Sequence, residues 1–273
     1  MFEIQLARLS DAGQRPYNED ALCTAQHGPV TFVVLADGAG GHRGGAIAAQ
    51  QVVSDLQAAL TARCTAAATA TTATAMQAGL PPAELTALVQ QAHRRLQAMQ
   101  QDSRGAGRMH TTVVVLWLHT SRAIALWSHV GDSRLYRLRY GLIDHVSSDD
   151  SLVQRMVQAG LLSSEQAQVH PARHQLLSAL GGEDEIEPHT LPAWADMEDG
   201  DAFLLCSDGW WEPLGDERIT ALCRAAVSPQ DWLLRMQREI EAQQEPHQDN
   251  YSAVALWVND PSENTRSLEE LKA

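Results

Sequence analysis

Short apolar runs and longer stretches of helical spacing follow one another along this chain in blocks, not as a regular strand–helix repeat. Runs rich in Val, Leu, Ile and Trp, bounded by Gly, Asp or Asn, predict strands at Phe2–Leu9, Thr31–Ala36, Thr111–His119, Ala123–His129, Arg134–Arg139, Ala202–Cys206 and Tyr251–Val258. Helices are predicted in pairs. Gly44–Leu60 goes with Pro82–Gln101, whose proline-led start suits a first helical turn, and Glu217–Ala226 goes with Pro229–Gln243. A shorter helix fits Ser151–Gly160, capped by Ser151 or Asp150 and stopped by glycine. Clustered strands with paired helices imply an α+β arrangement, helices outside sheets, over a doubly wound parallel sheet.

Two segments depart from this pattern. Thr61–Leu80, in which 14 of 20 residues are Ala or Thr, is expected as a surface excursion with partial helical character. Ser147–Gly182 is irregular around its short helix and is a candidate flap over a site. One domain is expected over 1–259, followed by a polar tail at 260–273.

Composition narrows the function. Lys+Arg total 20 against Asp+Glu 34, a formal charge of −14 over 273 residues, so no basic surface is available for a phosphate backbone or an anionic bilayer. Nucleic acid and membrane are excluded as partners. The single lysine, Lys272, stands next to the C-terminus, which removes phosphate-loop, kinase and Schiff-base lysine chemistry. Cys23, Cys64, Cys206 and Cys223 form no CxxC pair and read as reduced thiols. A thiolate phosphatase needs an arginine six positions after its cysteine, where Pro29, Ala70, Glu212 and Pro229 stand. No charged segment leads into a long apolar one, and no run approaches the ~18 apolar residues that span a bilayer. A soluble, cytoplasmic protein is expected.

The carboxylates carry the chemistry. Thr31–Ala36 ends in Asp37-Gly38 and Ala202–Cys206 leads into Ser207-Asp208-Gly209; Asp249-Asn250 precedes the last strand, Asn18-Glu19-Asp20 precedes Ala21, and Gly131-Asp132-Ser133 lies between two strands. Any one of these is an ordinary turn. Together they place acids repeatedly at sheet ends, and buried carboxylates that converge require a cation. Oxygen donors without clustered His or Cys favour Mg²⁺ or Mn²⁺ over zinc.

The ordered series Arg15-Pro-Tyr-Asn18-Glu19-Asp20, Ala36-Asp37-Gly38-Ala39-Gly40-Gly41-His42, Met109-His110-Thr111-Thr112, Val130-Gly131-Asp132-Ser133-Arg134, Cys206-Ser207-Asp208-Gly209 and Asp249-Asn250 resembles the motif set of the PP2C-type metal-dependent Ser/Thr protein phosphatases, in its compact bacterial form. The resemblance runs from about Phe2 to Val258. It implies a four-layer α-β-β-α sandwich of two antiparallel sheets flanked by helix pairs, with two metal ions at one end. On that resemblance Asp37 bridges the ions, the Gly38 carbonyl and Asp20 serve one, Asp208 and Asp249 the other, and Glu19 acts through bound water. Asp132 matches a position that helps hold a third, weaker ion. Arg15 matches the arginine that grips the substrate phosphate, a role its paired N–H donors suit. The implied reaction is direct attack of a metal-bridging hydroxide on phosphoserine or phosphothreonine, with no protein nucleophile.

Two positions depart from the family pattern. Eukaryotic members carry histidine directly after the Asp-Gly, where this chain has Ala39; His42 is then the candidate general acid, with metal-held water as its rival. His110 stands where glycine usually precedes Thr-Thr, which predicts a shifted strand start. The seven Trp residues read as core and interface filler, with Trp210-Trp211 the pair closest in sequence to the site. The alternation Arg134–Arg139 reads as the exposed face of a strand without a role. Expected partners are phosphorylated proteins, the enzyme opposing a Ser/Thr kinase and acting as a monomer. The alternatives are a non-catalytic phosphoprotein-binding module of the same fold and a plain cation-binding module, against which Arg15 argues.

Overall fold

The computed structural model describes residues 1–39, 44–69, 79–102 and 109–261. His42, positions 70–78 of the Ala/Thr-rich segment and the tail beyond 261 lie outside the described residues. In chain order the elements are β1 (Glu3–Asp11), β2 (Ala21–His27), β3 (Val30–Ala36), β4 (Gly38–Ala39), α1 (Gly44–Thr69), α2 (Pro82–Asp102), β5 (His110–Thr111), β6 (Val113–His119), β7 (Ile124–Val130), β8 (Arg134–Arg139), β9 (Leu142–Val146), α3 (Leu152–Gln158), α4 (Ser164–Gln168), β10 (His189–Thr190), β11 (Ala195–Asp196), β12 (Ala202–Cys206), α5 (Asp208–Ala225), α6 (Pro229–Ala242) and β13 (Tyr251–Asn259).

Strand periodicity makes the layers. Along β3, Phe32, Val34 and Ala36 face a core shared with α1 and α2, while Val33 and Leu35 face the opposite sheet. Along β12, Leu204 and Cys206 face α5 and α6, while Phe203 and Leu205 face inward. Both strands are therefore covered on both sides, which is why they read as unbroken apolar runs. One sheet has the order β1-β13-β12-β8-β9; the other runs β10-β7-β6-β3-β2, with β11 also on β7. All pairings are antiparallel. Helix pair, sheet, sheet and helix pair stack as the expected four layers. Large side chains such as Trp210, Trp232, Phe32 and Phe203 are fully buried, each contributing on the order of 1.5–3 kcal/mol.

Register sets the position of the acids. Ala21 lies opposite Ala36, and Cys206 lies opposite both Arg134 and Ala253. Asp20, Asp37, Asp132, Asp208 and Asp249 therefore all emerge at one end of the sandwich.

The structure adds to the sequence reading in four places. β2 and β9 were not among the predicted strands; each lies at a sheet edge, where half-exposure dilutes the apolar signal. The strand predicted from Thr111 is broken at Thr112 into β5 and β6, with β5 forming a small ribbon with β4. α1 continues to Thr69, nine residues into the Ala/Thr-rich segment, because alanine sustains a helix well. α5 begins at Asp208 instead of Glu217: it is two helices joined across a kink, with Pro213 inside and Gly215 at φ 68°. Among the described residues no helix is long and apolar enough to cross a membrane.

Candidate metal centre

Asp37 leaves β3 under close backbone control. Its N–H donates to Thr112 Oγ1 at 3.0 Å, and its carbonyl accepts from the Thr112 N–H at 2.9 Å and from Thr111 Oγ1 at 2.8 Å. The break between β5 and β6 thus clamps Asp37, and the Thr112 hydroxyl continues to Ser133 Oγ at 2.6 Å, beside Asp132. Gly38 and Gly45 allow the first turn of α1 to lie on this loop. A Cβ on Gly38 would stand 2.3 Å from the Gly45 carbonyl carbon, and one on Gly45 would meet the Gly38 oxygen at 2.7 Å and Glu19 Oε2 at 3.0 Å. The Gly38 carbonyl and the Glu19 carboxylate are neighbours for that reason.

Asn250 latches the second loop. Its Nδ2 donates to the carbonyls of Ala12 and Tyr17, both at 2.9 Å, and its Oδ1 accepts from the Glu19 N–H at 2.7 Å. The 12–19 loop is thereby drawn over the start of β13, and Gly13, at φ 58°, approaches so closely that a Cβ would lie 2.3 Å from the Asp249 carbonyl oxygen. Arg15 rides on this loop and donates from Nη2 to Asp249 Oδ2 at 2.7 Å, both side chains about half exposed.

Asp20 lies deeper. Ser207 occupies the N-cap of α5, yet its hydroxyl donates to Asp20 Oδ2 at 2.9 Å instead of capping the helix. Asp20 Oδ1 is buried without any partner. An orphaned carboxylate oxygen at such depth is costly unless something cationic meets it.

The electrostatics point the same way. Burial, then Asp20, Asp208, Asp132 and Asp249, push the Asp37 carboxyl well above its usual range. Burial raises Asp20 to about 7, helped by Asp208 and Asp249 against hydrogen bonds from Ser252 and Ser207. Asp208 is raised to about 6 by burial, Asp249 and Glu212, and shares a hydrogen bond with Asp37. Asp132 is raised well above the carboxylate range by burial, then Asp208 and Asp149. Among the described residues no three of these side chains already form a tight coordination shell; the acids are gathered and repel one another. A hard divalent ion with oxygen ligands suits this donor set, the orphaned Oδ1 and the mutual repulsion.

Several neighbours escaped the sequence reading. Arg134 is not an exposed strand residue: it donates to Asp149 through Nε at 2.8 Å and Nη2 at 2.7 Å and stacks 3.4 Å from the Trp211 ring centre. Arg137 and Arg139 are likewise mostly covered and paired with acids. The alternation was read correctly as a strand but wrongly as solvated, since sequence spacing does not reveal the acids that cover it. Trp211 Nε1 donates to the Asp132 carbonyl at 3.0 Å, while Trp210 is core, against Met236 and Tyr251. The segment expected as a flap is sewn down by Asp150, which accepts from the Gly131 N–H at 2.9 Å, and by the Thr111–Leu180 bridge. It carries His174 to within 3.9 Å of Asp208 and 3.8 Å of Glu212. The Asp149-Asp150 doublet was the available signal. His42, the candidate general acid, lies outside the described residues.

Comparison with known proteins follows this geometry. The profile of the protein phosphatase 2C family matches residues 11–245. The chain is 34% identical over 220 residues to the serine/threonine protein phosphatase PstP of Mycobacterium tuberculosis, covering 79% of this chain and 38% of PstP. It is 32% identical over 209 residues to the protein phosphatase PhpP of Streptococcus pneumoniae, covering 76% and 78% of the two chains. The crystal structure of the PstP catalytic domain in complex with two manganese ions superposes with a TM-score of 0.76 at 27% identity, covering 95% of this chain and 100% of that one. The chain thus spans little over a third of PstP while matching its catalytic domain throughout. It is a member of the protein phosphatase 2C family.

Proposed function

We propose that this chain hydrolyses phosphoserine and phosphothreonine on proteins with the help of Mg²⁺ or Mn²⁺, opposing a Ser/Thr kinase. The observation that supports this most strongly is the set of uncompensated buried carboxylates at one sandwich end, with Arg15 beside them. Asp37, the Gly38 carbonyl, Asp20, Asp208 and Asp249 would hold two ions, Glu19 would act through water, and Asp132 would serve a third. Bound there, divalent ions lower the pKa of water towards neutrality and offset negative charge on phosphoryl oxygens.

The chain's own residues supply the positioning. Thr111 and Thr112 fix the backbone of Asp37. Asn250 fixes the loop bearing Arg15 and Glu19. Asp249 orients the Arg15 guanidinium through one nitrogen, leaving further N–H donors for paired hydrogen bonds to a phosphate. His42 is the proposed proton donor to the departing alcohol, with water as its rival. The four cysteines are free, which suits a reducing compartment.

The deciding experiment is phosphate release from phosphothreonine and phosphotyrosine peptides with and without Mn²⁺. Metal-dependent release from phosphothreonine, abolished by a chelator and by Asp208→Asn, is expected. Arg15→Ala should raise KM roughly tenfold by removing charge-assisted bonds to phosphate. Unchanged activity in Asp208→Asn would sink the proposal.

A further inference from the structure

Edge strands with unpaired backbone groups are templates for another chain, and proteins ordinarily protect them with charge, proline, bulges or brevity. Among the described residues, three of the four edges of the two large sheets are protected. β1 carries Glu3, Arg8 and Asp11; β9 carries Asp144 and a register shift against β8; β10 is two residues long. The fourth, β2, runs seven residues, Ala-Leu-Cys-Thr-Ala-Gln-His, without an Asp, Glu, Lys or Arg side chain or a proline, and among the described residues it pairs only with β3.

This unprotected edge borders a groove of about 580 Å³ between β2 and α1. The groove starts at the metal centre, because Asn18 and Asp20 line it, and then follows Cys23 of β2 and Gln50, Ser54 and Gln57 of α1. Positions 50, 54 and 57 share one helical face, and all three are exposed. In a chain of formal charge −14, the groove's polar side chains beyond Asp20 are uncharged amides, the Ser54 hydroxyl and the Cys23 thiol, set among apolar residues such as Leu22 and Val53. Amides and hydroxyls pair with peptide N–H and C=O groups irrespective of sequence.

Resting on the phosphatase reading above, we infer that the polypeptide flanking the phosphorylated residue docks in extended form in this groove, its backbone recognised by the β2 edge and by Gln50, Ser54 and Gln57. The phosphate end lies at Asp20 and the flanking residues run along β2, a mode in which main-chain bonds give affinity with little sequence demand.

The test compares p-nitrophenyl phosphate, which has no flanking chain, with phosphothreonine peptides of three and nine residues whose flanking side chains are uncharged. The wild type should show a lower KM for the longer peptide. Gln50→Ala/Gln57→Ala should raise that KM roughly 5- to 30-fold, as expected for two lost hydrogen bonds, with kcat and p-nitrophenyl phosphate kinetics unchanged. Ser54→Trp, filling the groove, should do the same. Equal KM for the longer peptide in wild type and both variants, with p-nitrophenyl phosphate still turned over, overturns the groove and leaves the phosphatase reading standing. Sedimentation showing a dimer that Ser54→Trp dissociates also overturns it, since the edge then serves a second copy. Loss of metal-dependent p-nitrophenyl phosphate hydrolysis in the wild type strikes the phosphatase reading itself.

Discussion

Two groups of buried acids in this molecule are handled in opposite ways. Asp201, fully buried, is gripped by Arg139 through Nε at 2.7 Å and Nη2 at 2.8 Å, and Asp149 is gripped by Arg134 in the same two-pronged fashion. At the strand ends, Asp20, Asp37, Asp132 and Asp208 are also largely withdrawn from water, yet each is pushed up chiefly by burial and further by its acidic neighbours. The fold therefore can neutralise a buried carboxylate with arginine and does so a few residues away. Where it withholds arginine, the missing positive charge must come from outside the chain, and the oxygen-only donor set specifies a hard divalent ion.

The sharpest way to break this contrast is Asp37→Asn. Phosphatase activity with Mn²⁺ should fall roughly 10³-fold or more, as when a group that organises transition-state charge is lost. Thermal stability in a chelator should hold or rise, because the substitution removes one of several mutually repelling carboxylates. A melting temperature lowered by several degrees in the chelator would mean that Asp37 is held by the protein itself, as Asp201 is.

The converse substitution acts on the arginine-paired group. Arg139→Met strands Asp201 without its partner and should cost about 3–5 kcal/mol of stability, read from the urea midpoint of the metal-free protein. Turnover of the folded fraction should stay at the wild-type level, since Arg139 lies away from the acids at the strand ends. Arg139→Met/Asp201→Leu should recover much of the loss by removing the stranded charge.

The contrast also marks what the sequence could tell. The acids at the strand ends were legible because strand periodicity stops there abruptly: a run such as Thr31–Ala36, apolar throughout from Phe32, that ends in Asp37-Gly38 declares both a buried strand and an acid at its tip. Strands in clusters and helices in pairs implied an α+β arrangement with helices outside sheets, and the four layers followed from the resemblance to the PP2C motif set. The arginine-paired acids were not legible, because Arg134, Arg137 and Arg139 alternate with apolar residues as any solvated strand face does. Their partners Asp149, Asp144 and Asp201 lie just after β9, within β9 and just before β12, and only the folded chain brings them onto these arginines. The start of α5 was hidden because Asp208-Gly209 reads as a turn, while its helical continuation depends on Trp210 finding a core made by α6 and β13. Asn250 was visible only as a companion of Asp249, yet its three hydrogen bonds hold the Arg15 loop.

The smallest expected effect concerns pH, and it tests the acids at the strand ends. In metal-stripped protein Asp20 is raised to about 7 and Asp208 to about 6 from an ordinary 3.8. The folded state therefore binds more protons than the unfolded state between about pH 4 and 7, and stability must fall as pH rises through that window. Asp20 alone corresponds to about 3 kcal/mol between pH 5 and pH 8. Melting temperatures in a chelator should thus be higher at pH 5 than at pH 8, Asp20→Asn should flatten the slope, and Mg²⁺ should stabilise more at pH 8, where it no longer competes with protons for the same oxygens. A metal-free protein that grows more stable from pH 5 to pH 8, with Asp20→Asn leaving that slope untouched, would show that the acids at the strand ends are neutralised within the fold and await no cation.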